Sequence, residues 1–303
     1  MDISIIIPTY ERNDIFNKSL ESIYKATSHL NAEIIVVNDS KKSSPFIPES
    51  FSNVILYNNP NKGCTSARNF GANKASSPYL LFIDDDFIVH KDSIDKILFY
   101  LKKYPDRAFN LAWEYPEELY QAILKNQFGR YLTYCLKFTS LEDILKEQWK
   151  DNEMFLHPEG LGSGFFAIHK DRFLKIGGYN EAFTFAADRD MARRLQESNI
   201  GVYIIPFIKV YHNEQDKVHL KAFLIRRRFG IRKAVEYGII PRHQYNKFQY
   251  GLLWILSRLK HFFFFLISII PNLKVLDRLY FRIANILFII FLYEGYMQRN
   301  GKS

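Results

Sequence analysis

The 303-residue sequence holds only two cysteines, Cys64 and Cys135, far apart and outside any CxxC or Cys/His spacing. That excludes a disulfide framework and a cysteine-type zinc site, and it suits a reducing, cytoplasmic setting. The opening "MDISIIIPTY" has no basic stretch ahead of its apolar residues, and Pro8 ends the run. It reads as a first strand and not as a secretory leader. There is no internal repeat and no low-complexity linker. An uninterrupted apolar run of about 20 residues, the length that crosses a bilayer, is also missing. The two most apolar stretches, residues 252–271 and 280–296, are interrupted by Arg258 and Lys260 with Pro271 closing the first, and by Arg282 and Glu294 in the second. Acids are scarce in the last third. Residues 206–303 carry 17 Lys and Arg against 5 Asp and Glu, a net +12, whereas residues 1–205 carry 24 against 27, a net −3, so the +9 net charge comes entirely from the C-terminal end. Basic and apolar together point to an anionic membrane surface; basic character alone would have pointed to nucleic acid, which is not expected as a partner.

What is present is an alternation of two periods. Short apolar runs at 3–7, 32–39, 53–59 and 79–83 read as buried strands. Between and after them, residues 14–27, 65–76 and 91–104 have helical spacing, with Thr65 or Ser66 expected near the cap of the second. Helical stretches are also expected near 116–126 and 140–151, then a strand at 164–169, a helix from about Ala186 to Ser198, and two short strands in "GVYIIP" and "IKVYH". From Asp216 onward the pattern is helical. Alternating strands and helices with near-continuous apolar strands predict an α/β domain with a mostly parallel sheet. Ligands in such sheets bind beyond the carboxyl ends of the strands. The segments to inspect are therefore "PTYER" (8–12), "NDSKK" (38–42), "NNPNKGC" (58–64) and "DDDF" (84–87).

The last of these is the most informative. Asp84, Asp85 and Asp86 follow the run "YLLFI" directly, and three adjacent carboxylates repel one another and resist burial. A divalent cation that in turn holds phosphates would relieve that repulsion; a solvated loop that caps the next helix is the plainer alternative. Asp39 could cap a helix or accept hydrogen bonds from a base or ribose. Gly63 precedes a helix start, where close backbone approach and the helix N-terminus favour an anion. Arg68 could equally be an ion-pair partner for Asp39.

"SIIIPTYER", "EIIVVNDSK", "NKGCTSARNFGANKA" and "LLFIDDD", in this order, together with "GSGFFAIHKDRFLKIGGYNEAF", "AADRDMARRLQ" and "VYH", resemble family-two glycosyltransferases of the GT-A fold over about residues 2–213. The resemblance implies a Rossmann-like, mostly parallel mixed sheet flanked by helices, followed here by a helical, basic extension. It divides the chain into a catalytic domain at 1–213, with a nucleotide-binding half to about 104 and an acceptor half from 105, and an extension at 214–303. It implies transfer of a sugar from a nucleotide diphosphate sugar to an acceptor hydroxyl with inversion, uridine diphosphate being the favoured carrier. Pro8, Thr9, Tyr10 and Glu11 would line the base pocket, Asp39 would bond the base, and Gly63 and Arg68 would sit beside it. Asp84 and Asp85 would face ribose and the metal surroundings. Asp86 and His212 would bind the metal, Mn²⁺ or Mg²⁺. Asp188 would be the general base, and Asp190 a supporting carboxylate. Ala187 stands where the family usually has Glu. Gly162, Gly164, Gly177 and Gly178 would let the backbone approach the donor sugar.

The tail is expected to lie in the membrane interface as helices. Its cations, Arg226 to Arg228, Arg232, Lys233, Arg242, Lys247, Arg258 and Lys260, would meet anionic headgroups on the inner face of the cell membrane. Packing on the catalytic domain or in a homo-oligomer contact is the alternative, and a short re-entrant hairpin is a further one. The acceptor would be a glycan or a lipid-linked sugar in cell-surface polysaccharide or glycolipid synthesis. Two other functions stay open at this stage: a sugar nucleotidyltransferase, and a decayed membrane-bound protein that binds nucleotide or glycan without turnover.

Overall fold

The computed structural model describes residues 1–135, 153–156, 161–162, 164–183, 185–214, 219–241, 243 and 245–297. The expected helix near 140–151, Ser163 and Arg242 lie outside the described residues. The chain forms two compact units, Met1–Pro116 with Ser140–Asn213, and Glu117–Thr139 with Glu214–Ser303.

In the first unit the four apolar runs become the parallel strands β1 (Ile3–Thr9), β2 (Ala32–Asn38), β3 (Val54–Asn58) and β4 (Tyr79–Ile83). β1 lies between β2 and β4, with Ile5 level with Ile34 and Leu81, and β3 flanks β2. Every residue of β1 and β2 is buried, which is why these strands lack polar alternation. Their two faces enter different cores. Ile3, Ile5 and Ile7 pack with Phe16, Leu20 and Ile23 of helix α1 (Asn13–Thr27), in a cluster that also holds Ile94, Ile97 and Leu101. Ile6 faces the other way, with Ala67 and Ala72 of α2 (Cys64–Lys74). Helix α3 (Ser93–Lys103) buries its Ile94, Ile97 and Leu101 stripe at helical spacing.

Beyond β4 the sheet becomes mixed. The strands β5 (Phe87–Val89), β6 (Ala108–Glu114), β7 (Phe155–Leu156), β8 (Phe165–His169) and β9 (Val202–His212) complete the order β3-β2-β1-β4-β8-β6-β9-β5, with β7 also paired to β9. β8 is antiparallel to both β4 and β6, β6 is parallel to β9, and β5 and β7 are antiparallel to β9. The two short strands expected at the end of this unit are one strand, β9. Its register against β6 jumps from Ile205 opposite Leu111 to Lys209 opposite Ala112, so Pro206 falls in a bulge where a missing N–H breaks no ladder bond. Two helices, α6 (Lys170–Lys175) and α7 (Ala187–Glu197), cover the α2 face; Phe173, Met191 and Leu195 are buried there.

The second unit is helical: α4 (Glu117–Leu124), α5 (Gln127–Cys135), α8 (Leu220–Glu236), α9 (Lys247–Arg258), α10 (Lys260–Ser268) and α11 (Asp277–Met297). Phe128, Tyr131 and Leu132 of α5 share a core with Phe223 and Leu224 of α8 and with Leu287 and Ile290 of α11. The buried Arg130 guanidinium donates to both carboxylate oxygens of Asp277 at 2.7 Å, and the Tyr131 hydroxyl donates to Asn285 at 2.8 Å. Residues 117–135 thus fold with the C-terminal helices. α8 and α11 approach closely at Gly295, where a Cβ would lie 2.8 Å from the Arg228 carbonyl oxygen. Among the described residues no single helix is long and apolar enough to cross a membrane. By length and composition, α9 and α10 pass that test together, bent by 55° at their junction.

Candidate active site

The tips of β1, β2, β4 and β9 carry the polar groups. After β1 the chain turns through Glu11, which takes the left-handed φ of 50° that a non-glycine residue rarely adopts. The Ser40 hydroxyl donates to its Oε1 at 2.9 Å, and this bond ties the β1 and β2 tips together. Pro8 and Thr9 are buried whereas Tyr10 is half exposed. The Asp39 N–H donates to the Thr9 carbonyl, and its carboxylate accepts from the Gly63 N–H at 2.9 and 3.0 Å and from Asn59 Nδ2 at 2.7 Å. Gly63 holds φ +110° immediately before α2, so glycine itself ends the loop there, in place of the cap expected at Thr65 or Ser66.

The three aspartates are each answered by a cation. Asp84 pairs with Arg68 of α2, which is buried and has the Tyr179 ring 5.3 Å away. Asp85 accepts from the Thr9 hydroxyl at 2.8 Å and from Arg12 Nη1 at 3.2 Å. Asp86 accepts from the same Arg12 nitrogen at 2.8 Å and lies 3.3 Å from His212 Nε2. Burial pushes the Asp85 carboxyl up to about 6 against the pull of Arg12 and Thr9, and the neighbouring Asp86 and Asp84 charges add to the rise. The Asp86 carbonyl accepts from the Asn213 N–H at 2.7 Å, which fixes the acidic turn against the end of β9. His212 is held by packing: its ring stacks on Phe87 at 4.3 Å and meets Trp113 edge-on at 5.2 Å.

Asp86, His212 and Glu214 can each offer one carboxylate or imidazole atom, all within 4.8 Å of one another. Hard oxygens with one imidazole nitrogen form a donor set that suits a divalent ion such as Mn²⁺. The residues present fit that ion.

One expectation about neighbours comes out differently in detail. Arg68 makes its ion pair with Asp84, and Asp39 is satisfied instead by the Gly63 N–H and Asn59. Arg12, the last residue of "PTYER", was not singled out in the sequence, yet it bridges two of the three acids. Its signal was position alone, at a strand tip facing an acidic tip. Glu214 likewise was not singled out, and lies two residues after His212, just past the end of β9.

Asp188 lies in the first turn of α7, after Ala186 in the left-handed region at φ 58°. Burial raises its carboxyl above the usual range, partly offset by its bond from the Arg189 N–H at 2.9 Å, by the Arg189 charge and by Arg68. Asp190 is buried and accepts from Arg194 Nε at 2.8 Å and Arg193 at 3.2 Å. Arg194 in turn donates to the carbonyls of Ile176 and Gly178, both at 2.7 Å. Asp190 therefore fixes α7 to the turn at Gly177 and Gly178, whose φ values are +82° and +64°. Gly164 has a different demand: a Cβ would sit 2.7 Å from the Phe87 ring, and its carbonyl accepts the Asp84 N–H. It keeps the floor of the acidic turn close to β8.

Residues 4–158, about half of the chain, match the family model Glycosyl transferase family 2. The chain belongs to this family. An uncharacterized glycosyltransferase of Haemophilus influenzae is 29% identical over 206 residues, 67% of this chain and 65% of that protein. A glucosyl-dolichyl phosphate glucuronosyltransferase of Haloferax volcanii is 23% identical over 86% of this chain and 87% of its own length. Among solved structures, the mannosyltransferase PcManGT of Pyrobaculum calidifontis, in complex with GDP-Man and Mn²⁺, is similar with a TM-score of 0.58 at 13% identity, covering 98% of this chain and 87% of that one. GalNAc-T7 with UDP, GalNAc and Mn²⁺ is similar with a TM-score of 0.53 at 15% identity, covering 69% and 42%. The chain thus spans just under two thirds of the Haemophilus protein and less than half of GalNAc-T7. The fold of this family-2 chain is the GT-A fold: a mixed, mostly parallel sheet between helices, with C-terminal helices added.

Proposed function

We propose that this family-2 chain is a metal-dependent, inverting glycosyltransferase that moves a sugar from a nucleotide diphosphate sugar to an acceptor hydroxyl. The observation that carries the reading is the meeting of Asp86 with His212, at 3.3 Å, beside Asp84 and Asp85 at one strand tip. Asp86 and His212, with Glu214 near them, would hold Mn²⁺ or Mg²⁺, and that ion would supply charge to a departing diphosphate. Asp39, Gly63 and the exposed face of Tyr10 would meet the nucleoside. A carboxylate at Asp39 accepts from the N3–H of uracil, which favours a uridine diphosphate donor. Arg68 and Arg12 keep positive charge beside the acids, where it also offsets the leaving group. Asp188, with its affinity for a proton raised by burial, takes the proton of the acceptor hydroxyl as that oxygen attacks the anomeric carbon. Direct displacement needs no covalent enzyme intermediate and inverts the anomeric carbon.

The acceptor is proposed to be a glycan or lipid-linked sugar in cell-surface polysaccharide or glycolipid synthesis, with the chain bound peripherally at the inner face of the cell membrane. Large side chains left exposed on the helical unit support this, among them Phe248, Trp254, Ile255, Phe262 and Phe265, interspersed with cations. A relative named for a glucosyl-dolichyl phosphate supports a lipid-linked acceptor. The test is product analysis. Incubation with UDP-sugars, Mn²⁺ and a lipid-linked acceptor should release UDP, with the opposite anomeric configuration in the product. Asp86→Ala should remove turnover and leave the melting profile of a folded protein. Release of pyrophosphate, retention of configuration or an active Asp86→Ala would each overturn the reading.

A further inference from the structure

The helical unit contains a cavity of about 320 Å³ that has no part in the chemistry above. Three helices line it: Lys221, Ile225 and Arg228 from α8, Lys260, His261 and Phe264 from α10, and Phe291 from α11. The α8 residues are spaced by four and three, so they form one stripe of that helix. Ile225, Phe264 and Phe291 dominate an almost wholly apolar wall, which Lys221, Arg228 and Lys260 line with their aliphatic stems.

Among the described residues, one acid answers those cations. Glu294 accepts from Arg228 at 2.9 Å, Lys260 at 2.8 Å and the Ser257 hydroxyl at 2.8 Å. This bridge holds two of the cationic side chains in fixed positions, and Arg228 lies 5.4 Å over the Phe291 ring. Lys221 is exposed and makes no ion pair among the described residues. Three cations against that one acid leave an excess of about two positive charges. Ile225 is 43% exposed, and Phe262 and Phe265, beside Phe264 on α10, are 53% and 60% exposed.

A small inorganic anion would be a poor occupant, because hydrophobic side chains form the wall. A neutral lipid would leave the cations unused. We propose that the cavity seats the first tail carbons of an anionic membrane lipid against Ile225, Phe264 and Phe291, with its phosphate headgroup at the charged ends of Lys221, Arg228 and Lys260. The cationic side chains meet the phosphate as point charges and as a fork, and the exposed aromatics beside the opening enter the acyl layer. This inference rests on the membrane reading above and adds a defined headgroup site to it.

The test compares two charge reversals in the full chain. Lys221→Glu changes the cavity lining; Lys247→Glu changes an exposed lysine of the same unit, at the start of α9, that does not line it. Co-sedimentation is measured with vesicles of phosphatidylcholine alone and with about a third phosphatidylglycerol. The wild type should bind only the anionic vesicles. Lys221→Glu should weaken that binding at least about tenfold more than Lys247→Glu, since diffuse attraction counts each surface cation about equally. Titration with a soluble short-chain phosphatidic acid, and separately with inorganic phosphate, should show the former bound and the latter not. Equal losses in the two variants overturn the cavity and leave the membrane reading intact. Wild-type protein that ignores every vesicle overturns the membrane reading, while the short-chain titration still decides the cavity. Binding of inorganic phosphate as tight as that of the short-chain lipid overturns the lipid assignment.

Discussion

Replacing Arg12 by Gln should strengthen the binding of Mn²⁺ in the absence of nucleotide. Gln keeps some length and a hydrogen-bond donor but removes the charge. In the wild type, Arg12 Nη1 stands 2.8 Å from Asp86 Oδ2 and 3.2 Å from Asp85 Oδ1, and Asp86 is almost fully buried. An incoming cation at Asp86 and His212 must displace this guanidinium or sit beside it. Two unit charges about 4 Å apart interact by about 4 kcal/mol at an effective dielectric near 20. Much of that is offset by desolvation, and a hydrogen bond to a charged group nets about 1.5–3 kcal/mol. Arg12 shields Asp86 by that order in the metal-free protein. Since 1.4 kcal/mol is tenfold in affinity, the variant should bind Mn²⁺ about ten- to a hundredfold more tightly. The paramagnetic resonance signal of free aqueous Mn²⁺, followed while protein is titrated in, measures this without any turnover. The variant should also melt lower than wild type without metal and regain the difference with it, because Asp85 and Asp86 then lack a counter-charge. Unchanged or weaker Mn²⁺ binding would refute the reasoning, and would mean that Arg12 braces the turn without occupying the ion's electrostatic place.

Asp188→Asn should cut transfer by at least about a hundredfold while leaving nucleotide binding within about twofold, as a lost general base does; equal losses in both would make Asp188 a structural residue. Because burial raises the Asp188 carboxyl, and the base acts only when deprotonated, the acid limb of kcat should fall at a pH above that of an ordinary aspartate and should disappear in Asp188→Asn. Arg130→Met should destabilise the helical unit by about 3–5 kcal/mol, read by denaturant titration, because Asp277 is left without its bidentate partner. Burial would push the Glu294 carboxyl up, but Lys260, Ser257 and Arg228 outweigh it and hold it below the usual range. Its stabilising share is therefore present above the unfolded value near 4.5 and is lost as pH falls through the lower folded value; Glu294→Gln should flatten that part of the pH–stability curve.

How far the sequence reaches can be judged residue by residue. The strands β1, β2 and β4 were legible because a strand buried on both faces has to be apolar without alternation, and "ISIII", "AEIIVV" and "YLLFI" are. Their tips were legible for the same reason: polar residues become possible only where burial ends. The partners at those tips were not. Whether Arg68 meets Asp39 or Asp84 depends on the pitch of α2 against the sheet, and no local pattern encodes it. The membership of α5 in the helical unit was hidden likewise, since Arg130 and Asp277 are 147 residues apart and each alone is an ordinary surface charge. In the sequence β9 reads as two strands, the first ending at Pro206, and only the bulge against β6 lets one strand carry that residue.

The acidic triplet joins these two levels. Taken alone, Asp84, Asp85 and Asp86 pose an electrostatic problem, and several arrangements could solve it. In the folded chain Arg68 answers the first, and Arg12 answers the other two from the tip of β1. That internal solution lets the metal-free protein fold. It also requires an ion arriving at Asp86 to work against a resident cation. A site whose acids were open to solvent would bind metal early and alone. One already balanced by Arg12 should take metal most readily when a diphosphate arrives with it, because the phosphates give the displaced guanidinium a new partner. Ordered binding of metal with donor then follows from how the protein tolerates three adjacent acids, two of them buried, and nucleotide and Mn²⁺ should each lower the other's dissociation constant by the same factor. A coupling factor of one would break that link between the folding of the acidic turn and its function.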